Sequence, residues 1–259
     1  MELTSTNYHS SESNMVYWSV SQFKEFERCE ACGLASARGE YVREETDALL
    51  IGSYVDAYFS GELGEFIDAH RDVMFSKRGG GLLAKFQRAD EMIQTVNSDP
   101  LMMEYLIGEK QRIFTAELFG VMWKVKADVY RPGVRIVDFK TVKDFGKVWD
   151  PDYGQRSWVE YWGYDVQGAI YQKVIEKETG EKLPFFLEAV TKEKVPDKAI
   201  IELPQHILDA ALGLVEAKIE RFDLIKSGDV EPRRCESCDW CKATKKLTAP
   251  VVYEIEEAK

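Results

Sequence analysis

The residues best suited to chemistry lie in one stretch, Lys126-Ala-Asp128-Val-Tyr-Arg-Pro-Gly-Val-Arg-Ile-Val-Asp138-Phe-Lys140-Thr141. Side chains alternate across a strand, so Asp138 and Lys140 share one face and Phe139 turns to the other. An acid and an ammonium on an otherwise apolar strand are expensive to bury unless something compensates them. Asp128 ends the preceding strand, across a turn signalled by Arg131-Pro132-Gly133. Two hard carboxylates beside an ammonium suit Mg²⁺ or Mn²⁺. One reaction that uses this grouping is phosphodiester hydrolysis. The cation acidifies a bound water and stabilises the attacking and leaving oxygens, while the lysine aligns the nucleophile or offsets phosphoester charge.

A second chemical group is made of cysteines. Cys29 and Cys32 stand near the start, and Cys235, Cys238 and Cys241 near the end. Thiolates separated by two residues can turn back onto one ion or cluster. The C-terminal triplet supplies three ligands, and Cys29, or alternatively Cys32, is the available fourth. That arrangement would staple the chain ends together. Four thiolates accept either Zn²⁺ or a 4Fe–4S cluster, and free reduced thiols are the remaining alternative. His9, His70 and His206 are scattered without acid or cysteine partners and read as surface residues. No Gly-x-x-x-x-Gly-Lys-Ser/Thr loop occurs, so no P-loop ATPase is expected.

Composition narrows the classes. The 259 residues carry 34 Lys and Arg against 45 Asp and Glu, a formal charge of −11. A protein that coats nucleic acid by counterion release wants a basic surface, so passive coating is disfavoured. Carboxylates that gather a cation are another matter, because the ion inverts the local sign. No run approaches the ~20 apolar residues of a membrane span, and the start lacks the basic and apolar regions of a secretory signal. The expected location is the cytoplasm.

The elements that must position these groups follow from periodicity. Residues 1–16 are polar and read as a flexible segment. Helices are expected over 19–37, 46–61, 82–96 and 99–107, where apolar residues recur at helical spacing. Residues 112–119, 121–130 and 134–141 alternate as a three-strand meander. A loop holding Trp149, Pro151 and Gly154 leads to a helix over 157–179, strands over 184–191 and 198–203, and a helix over 205–226. The order predicts an α/β (α+β) domain with a central mixed sheet flanked by helices, spanning residues 17–232. A cysteine-containing tail, 233–259, is expected to pack back on the N-terminal helix. Lys77-Arg78 before Gly79-Gly80-Gly81 reads as a connector, and Trp149, Trp158 and Trp162 as packing residues or platforms for unpaired bases.

Taken together, Asp128, Asp138-Phe139-Lys140, Gln167-Gly-Ala-Ile-Tyr171, the opening Ser19-Val-Ser21-Gln-Phe and the cysteines resemble the PD-(D/E)XK nuclease superfamily, in its RecB-like and lambda-type phage exonuclease branch (exonuclease VIII-like). The resemblance covers about residues 17–245 and implies a restriction-endonuclease-like core. It implies Asp128 and Asp138 as metal ligands, the Phe139 carbonyl as a third, and Lys140 as the catalytic lysine. Relatives carry Gly-x-x-x-His on an early helix; here Gly52 is followed by Asp56, which becomes a further metal ligand. Glu117 matches an acidic position of many relatives. Gln167 and Tyr171, one turn apart, would contact DNA backbone, with Lys124, Lys126 and Lys143 as nearby bases. Cys29, Cys235, Cys238 and Cys241 would form an iron–sulfur site, although two gaps of two residues depart from the longer final gap usual there. The implied activity is a Mg²⁺- or Mn²⁺-dependent DNA exonuclease acting on linear ends in phage-type recombination or repair, with a single-strand annealing recombinase and a homo-oligomer as implied partners. The alternative is a non-catalytic DNA-end or partner-binding module on the same fold.

Overall fold

A computed structural model describes residues 1–76 and 80–250. Its elements in chain order are α1 (Ser11–Val16), α2 (Val20–Arg28), α3 (Glu30–Ala37), α4 (Asp47–Ser60), α5 (Leu63–Met74), α6 (Ala84–Asn97), α7 (Pro100–Tyr105), β1 (Glu109–Leu118), β2 (Val121–Arg131), β3 (Arg135–Val142), β4 (Val148–Asp150), β5 (Gly154–Arg156), α8 (Trp158–Tyr161), α9 (Tyr164–Thr179), β6 (Phe185–Thr191), β7 (Lys198–Glu202), α10 (Gln205–Ser227) and α11 (Asp239–Ala243). Five strands form one mixed sheet in the order β1-β2-β3-β6-β7. The meander β1-β2-β3 is antiparallel, β3 runs parallel to β6, and β7 closes the edge antiparallel to β6. The crossover from β3 to β6 passes through α8 and α9, the helical connection that a parallel pair requires.

Alternation along the strands divides the interior in two. Val125, Ala127, Ile136, Leu187 and Ala189 pack with α2, α9 and α10 in one buried cluster. Val129, Val137, Phe139 and Val190 pack with α4 and α6 in the other. The sheet is therefore covered by helices on both faces, the architecture of a restriction-endonuclease-like core. No helix among the described residues is long and apolar enough to cross a membrane.

Several elements differ from the periodicity reading. The helix expected over 19–37 breaks at Cys29, which is extended at φ −165° and ψ 111°. Gly33 makes the reversal possible: a Cβ there would lie 2.5 Å from the Phe26 ring and 2.9 Å from its backbone nitrogen. The helix over 157–179 likewise breaks at Gly163, whose φ of +62° suits glycine, after a short α8 opened by a Ser157/Glu160 capping box. Helix α5 and the small β4–β5 hairpin are additions. Trp158 is buried against Phe145 and Tyr164, while Trp149 and Trp162 are exposed. Residues 77–79 of the glycine connector and residues 251–259 of the tail lie outside the described residues.

The first sixteen residues are docked, which corrects the flexible reading. Tyr8 and Ser13 are buried, and the Lys124 ammonium donates to the Tyr8 carbonyl, to Ser13 Oγ and to Asn14 Oδ1. Trp18 then joins the edge of β2 through Trp18 N–H to the Met122 carbonyl and Lys124 N–H to the Trp18 carbonyl. A buried ammonium needs such partners. Polarity alone made the segment look loose, because the lysine that requires it lies 110 residues downstream of Asn14. Lys124, 1% exposed, is therefore a structural lysine and no base for DNA.

Candidate active site

The acids gather where the sheet forks. The β1–β2 ladder is interrupted between Lys110↔Val129 and Arg112↔Ala127, where Gln111 adopts a φ of +52°. The β2–β3 ladder ends at Val129↔Val137. Asp128 and Asp138 are the next residues on each strand, just past the last paired position. Asp128 bridges the gap: one carboxylate oxygen accepts the Phe139 N–H at 2.9 Å, the other the Gln111 amide at 3.2 Å. Asp138 accepts the Gln167 amide at 2.7 Å on Oδ1 and faces the Lys140 ammonium at 2.6 Å on Oδ2. Phe139 sends its ring to the opposite core, 4.9 Å from Phe59, so only its backbone reaches the site.

Helix α4 brings the third acid. Gly52 lies against β3, where a Cβ would sit 2.9 Å from Thr141 Oγ1. Asp56, one helical turn on, thereby joins Asp128, Lys140, Tyr164 and Lys192 around a cleft of about 310 Å³. Burial pushes the Asp56 carboxyl up to about 7, with the negative Asp128 adding to the rise and Lys140 opposing it. Burial likewise pushes Asp138 to about 7, against the pull of Lys140. Burial also works against the Lys140 charge, but Asp138 and Asp128 outweigh it and hold the ammonium well above its ordinary value. Hard carboxylate oxygens beside an ammonium, two of them raised by burial with Asp128 adding to the rise, are donors of the kind that a divalent cation takes.

The remaining expected residues fall differently. Gln167 and Tyr171 turn inward: Gln167 is 9% exposed and committed to Asp138, and the Tyr171 hydroxyl donates to the Lys126 carbonyl at 3.2 Å. In these bonds they position an acid and a strand. Glu117 is exposed opposite Met122. Met122 lies six positions before Asp128 along β2, about 20 Å, so Glu117 stands outside the site.

Residues 19–244 match the model of a PDDEXK-like domain of unknown function (DUF3799). This chain belongs to that family. A crystal structure of a "putative exonuclease" from Eubacterium rectale shares 43% sequence identity and a TM-score of 0.93, covering 97% of this chain and 97% of that one. No curated protein matches.

Within this DUF3799 chain, Lys24 is the site neighbour that motif reading missed. Its ammonium donates to the Trp162 carbonyl at 2.9 Å and lies 5.3 Å from the centre of the Tyr164 ring. Burial and the Lys140 charge push it down to about 8, while Asp138 and Asp165 draw it back up. Nothing local to α2 announces the role, since the break at Gly163 is what lets the lysine approach. Lys192, which donates to the Ala48 carbonyl at 2.8 Å and lines the cleft, was also missed, because its partner lies 144 residues away in sequence. Glu188 is a further buried acid. It pairs with Phe139 in the β3–β6 register, and burial raises it to about 8, with Lys110 and Arg135 opposing.

The cysteines form a separate cluster. The sulfurs of Cys29, Cys235, Cys238 and Cys241 all lie within 4.8 Å of one another, a set that can hold a metal ion. Cys32 is buried in the same small core but is not one of the four. Glu30 pins the tail there, accepting two Arg221 hydrogen bonds at 2.8 Å and the Arg233 N–H at 2.7 Å.

Proposed function

We propose that this chain is a divalent-metal-dependent DNA exonuclease. The observation that carries the reading is the convergence of Asp56, Asp128, Asp138 and Lys140 from α4, β2 and β3 at the fork of the sheet. Asp56, Asp128, Asp138 and the Phe139 carbonyl would hold Mg²⁺ or Mn²⁺. Bound there, the cation supplies an acidified water and charge stabilisation at the scissile phosphate. Lys140, kept protonated by Asp138 at 2.6 Å, aligns the attacking water and offsets phosphate charge. Gln167 fixes the Asp138 carboxylate through its amide. Lys24 and Lys192 supply cationic contacts at the rim for the DNA strand.

Exonuclease action, rather than cutting within a strand, is favoured by the description of the Eubacterium rectale relative. The biological setting that suits it is end resection on linear DNA in phage-type recombination or repair, in the cytoplasm, beside a single-strand annealing recombinase and as a homo-oligomer. The deciding experiment digests end-labelled linear duplex and circular single-stranded DNA with Mg²⁺ or Mn²⁺. Wild type is expected to degrade the linear ends, and Lys140→Ala to lose activity by a factor of about 10² or more. Activity retained in Lys140→Ala would sink the mechanism. End binding without cleavage by wild type would favour the non-catalytic module instead.

A further inference from the structure

We propose that Cys29, Cys235, Cys238 and Cys241 hold one tetrahedral zinc ion rather than an iron–sulfur cluster. The argument rests on sulfur spacing and does not depend on the catalytic reading. Zinc–thiolate bonds are about 2.3 Å, so a tetrahedron around one ion sets its four sulfurs about 3.8 Å apart. A 4Fe–4S cube gives each thiolate its own iron at a separate corner and spreads the sulfurs to roughly 6 Å. Here Cys29 and Cys241 are 3.5 Å apart, Cys235 and Cys241 4.0 Å, and no pair among the four exceeds 4.8 Å. The cage matches a single ion and is too small for a cube.

Local structure holds the cage at that size. The Cys238 N–H donates to Cys235 Sγ at 3.3 Å and the Cys241 N–H to Cys238 Sγ at 3.5 Å, so successive residues of the loop wrap the sulfurs. Glu236, at φ +56°, turns the chain inside the first Cys-x-x-Cys. The Arg234 guanidinium ties the loop shut through Glu236, Thr244 Oγ1 and the Cys241 carbonyl. The opposite wall is the extended Cys29 between α2 and α3, held to the tail by Glu30 with Arg221 and Arg233. Widening every edge toward 6 Å would break these contacts on both sides. Soft thiolates select zinc over the hard cations proposed for the acidic cleft, so the chain would carry two unlike metal sites. Cys32 stays a free thiol.

The test uses the full chain, expressed with iron and zinc both supplied and purified anaerobically without chelators. Elemental analysis is expected to find one zinc per chain in a colourless protein, and X-ray absorption at the zinc edge four sulfur neighbours at about 2.3 Å. Cobalt exchanged into the wild-type site should give the intense visible bands of tetrahedral thiolate ligation. Cys32→Ser should keep the full zinc content and Cys241→Ser should lose it. A brown protein with stoichiometric iron and acid-labile sulfide would overturn the proposal. So would a chain with neither metal, a cobalt spectrum without tetrahedral thiolate bands, or zinc lost on Cys32→Ser. The cobalt spectrum keeps the test decisive if Cys241→Ser does not fold.

Discussion

Lys140 and Asp138 illustrate how much one pair of side chains can be asked to do. Asp138 is buried, which favours neutralising the acid, yet the part-exposed ammonium beside it must stay charged to be of use to a phosphate. Asp56 and Asp138, raised to about 7 from an ordinary value of 3.8, bind protons that a cation must displace. The Mg²⁺ concentration for half-maximal cleavage should therefore fall as pH rises from 6 to 8. Between about 4 and 7 the folded chain also holds more protons than the unfolded one, so metal-free stability should decline as pH rises through that window. Melting curves without and with Mg²⁺ check both signs, with the cation recovering more at pH 8 than at pH 5. A Mg²⁺ requirement that ignores pH would remove these carboxylates from the cation site. Lys24 is expected to act at the same scale. Lys24→Met should lower single-turnover cleavage about tenfold or more while shifting the melting midpoint little, and Lys24→Arg should restore part of the rate. Equal losses of rate and midpoint would assign it a structural role.

At the scale of elements, glycines set the distances. Gly52 lets α4 approach β3 so that Asp56 reaches the cleft, and Gly168 does the same for α9 beside Gln167. A Cβ on Gly168 would meet the Phe185 ring at 2.8 Å and Leu208 at 3.0 Å, from a strand and a helix already packed. Gly168→Ala should cost about 1–3 kcal/mol of stability, read as a midpoint lowered by about 2–4 °C per kcal/mol. Gly213→Ala, on the open side of α10 with nothing within 4 Å, is the control. It should be neutral or stabilising by up to about 1 kcal/mol. Equal midpoints for the two variants would contradict the packing account. The meander was legible in the sequence because strand alternation and the Arg-Pro-Gly turn are local signals, and α4 because Thr46 and Gly61 cap it within a residue of its apolar pattern. The breaks at Cys29 and Gly163 were not, because each interrupts a helical pattern that continues across it. Both breaks are bought by contacts far away in sequence, Cys29 with Cys241 and Gly163 with Lys24.

Across the whole molecule, a charge of −11 coexists with a few placed cations. Lys124, one base expected near DNA, is buried under the N-terminal segment, and the cleft is lined instead by Lys140 and Lys192, with Lys24 behind it beside the Tyr164 ring. Three phosphate contacts release few counterions, so duplex affinity should fall with salt at a log–log slope of about −3. Titrations of labelled duplex in Ca²⁺, without turnover, measure it, and a slope near −8 would require a broad basic surface that this arrangement does not provide. Segments from early and late in the sequence meet at the cysteine cage, which closes α2 and α3 onto residues 233–241. Since α2 also carries Lys24, the staple and the cleft share one element.

Periodicity and residue chemistry are properties of neighbours, so the types and order of the main elements and the inventory of thiols were readable along the chain, and Asp128, Asp138 and Lys140 stood out there as candidates. Which polar groups meet was settled by packing in three dimensions. It turned Gln167 onto Asp138, sank Lys124 beneath Tyr8 and Ser13, brought Lys24 toward the cleft, left Glu117 outside it and closed four sulfurs to within 4.8 Å. Each of those outcomes depends on separations of angstroms between residues tens to hundreds of positions apart, and a linear pattern contains no such distance.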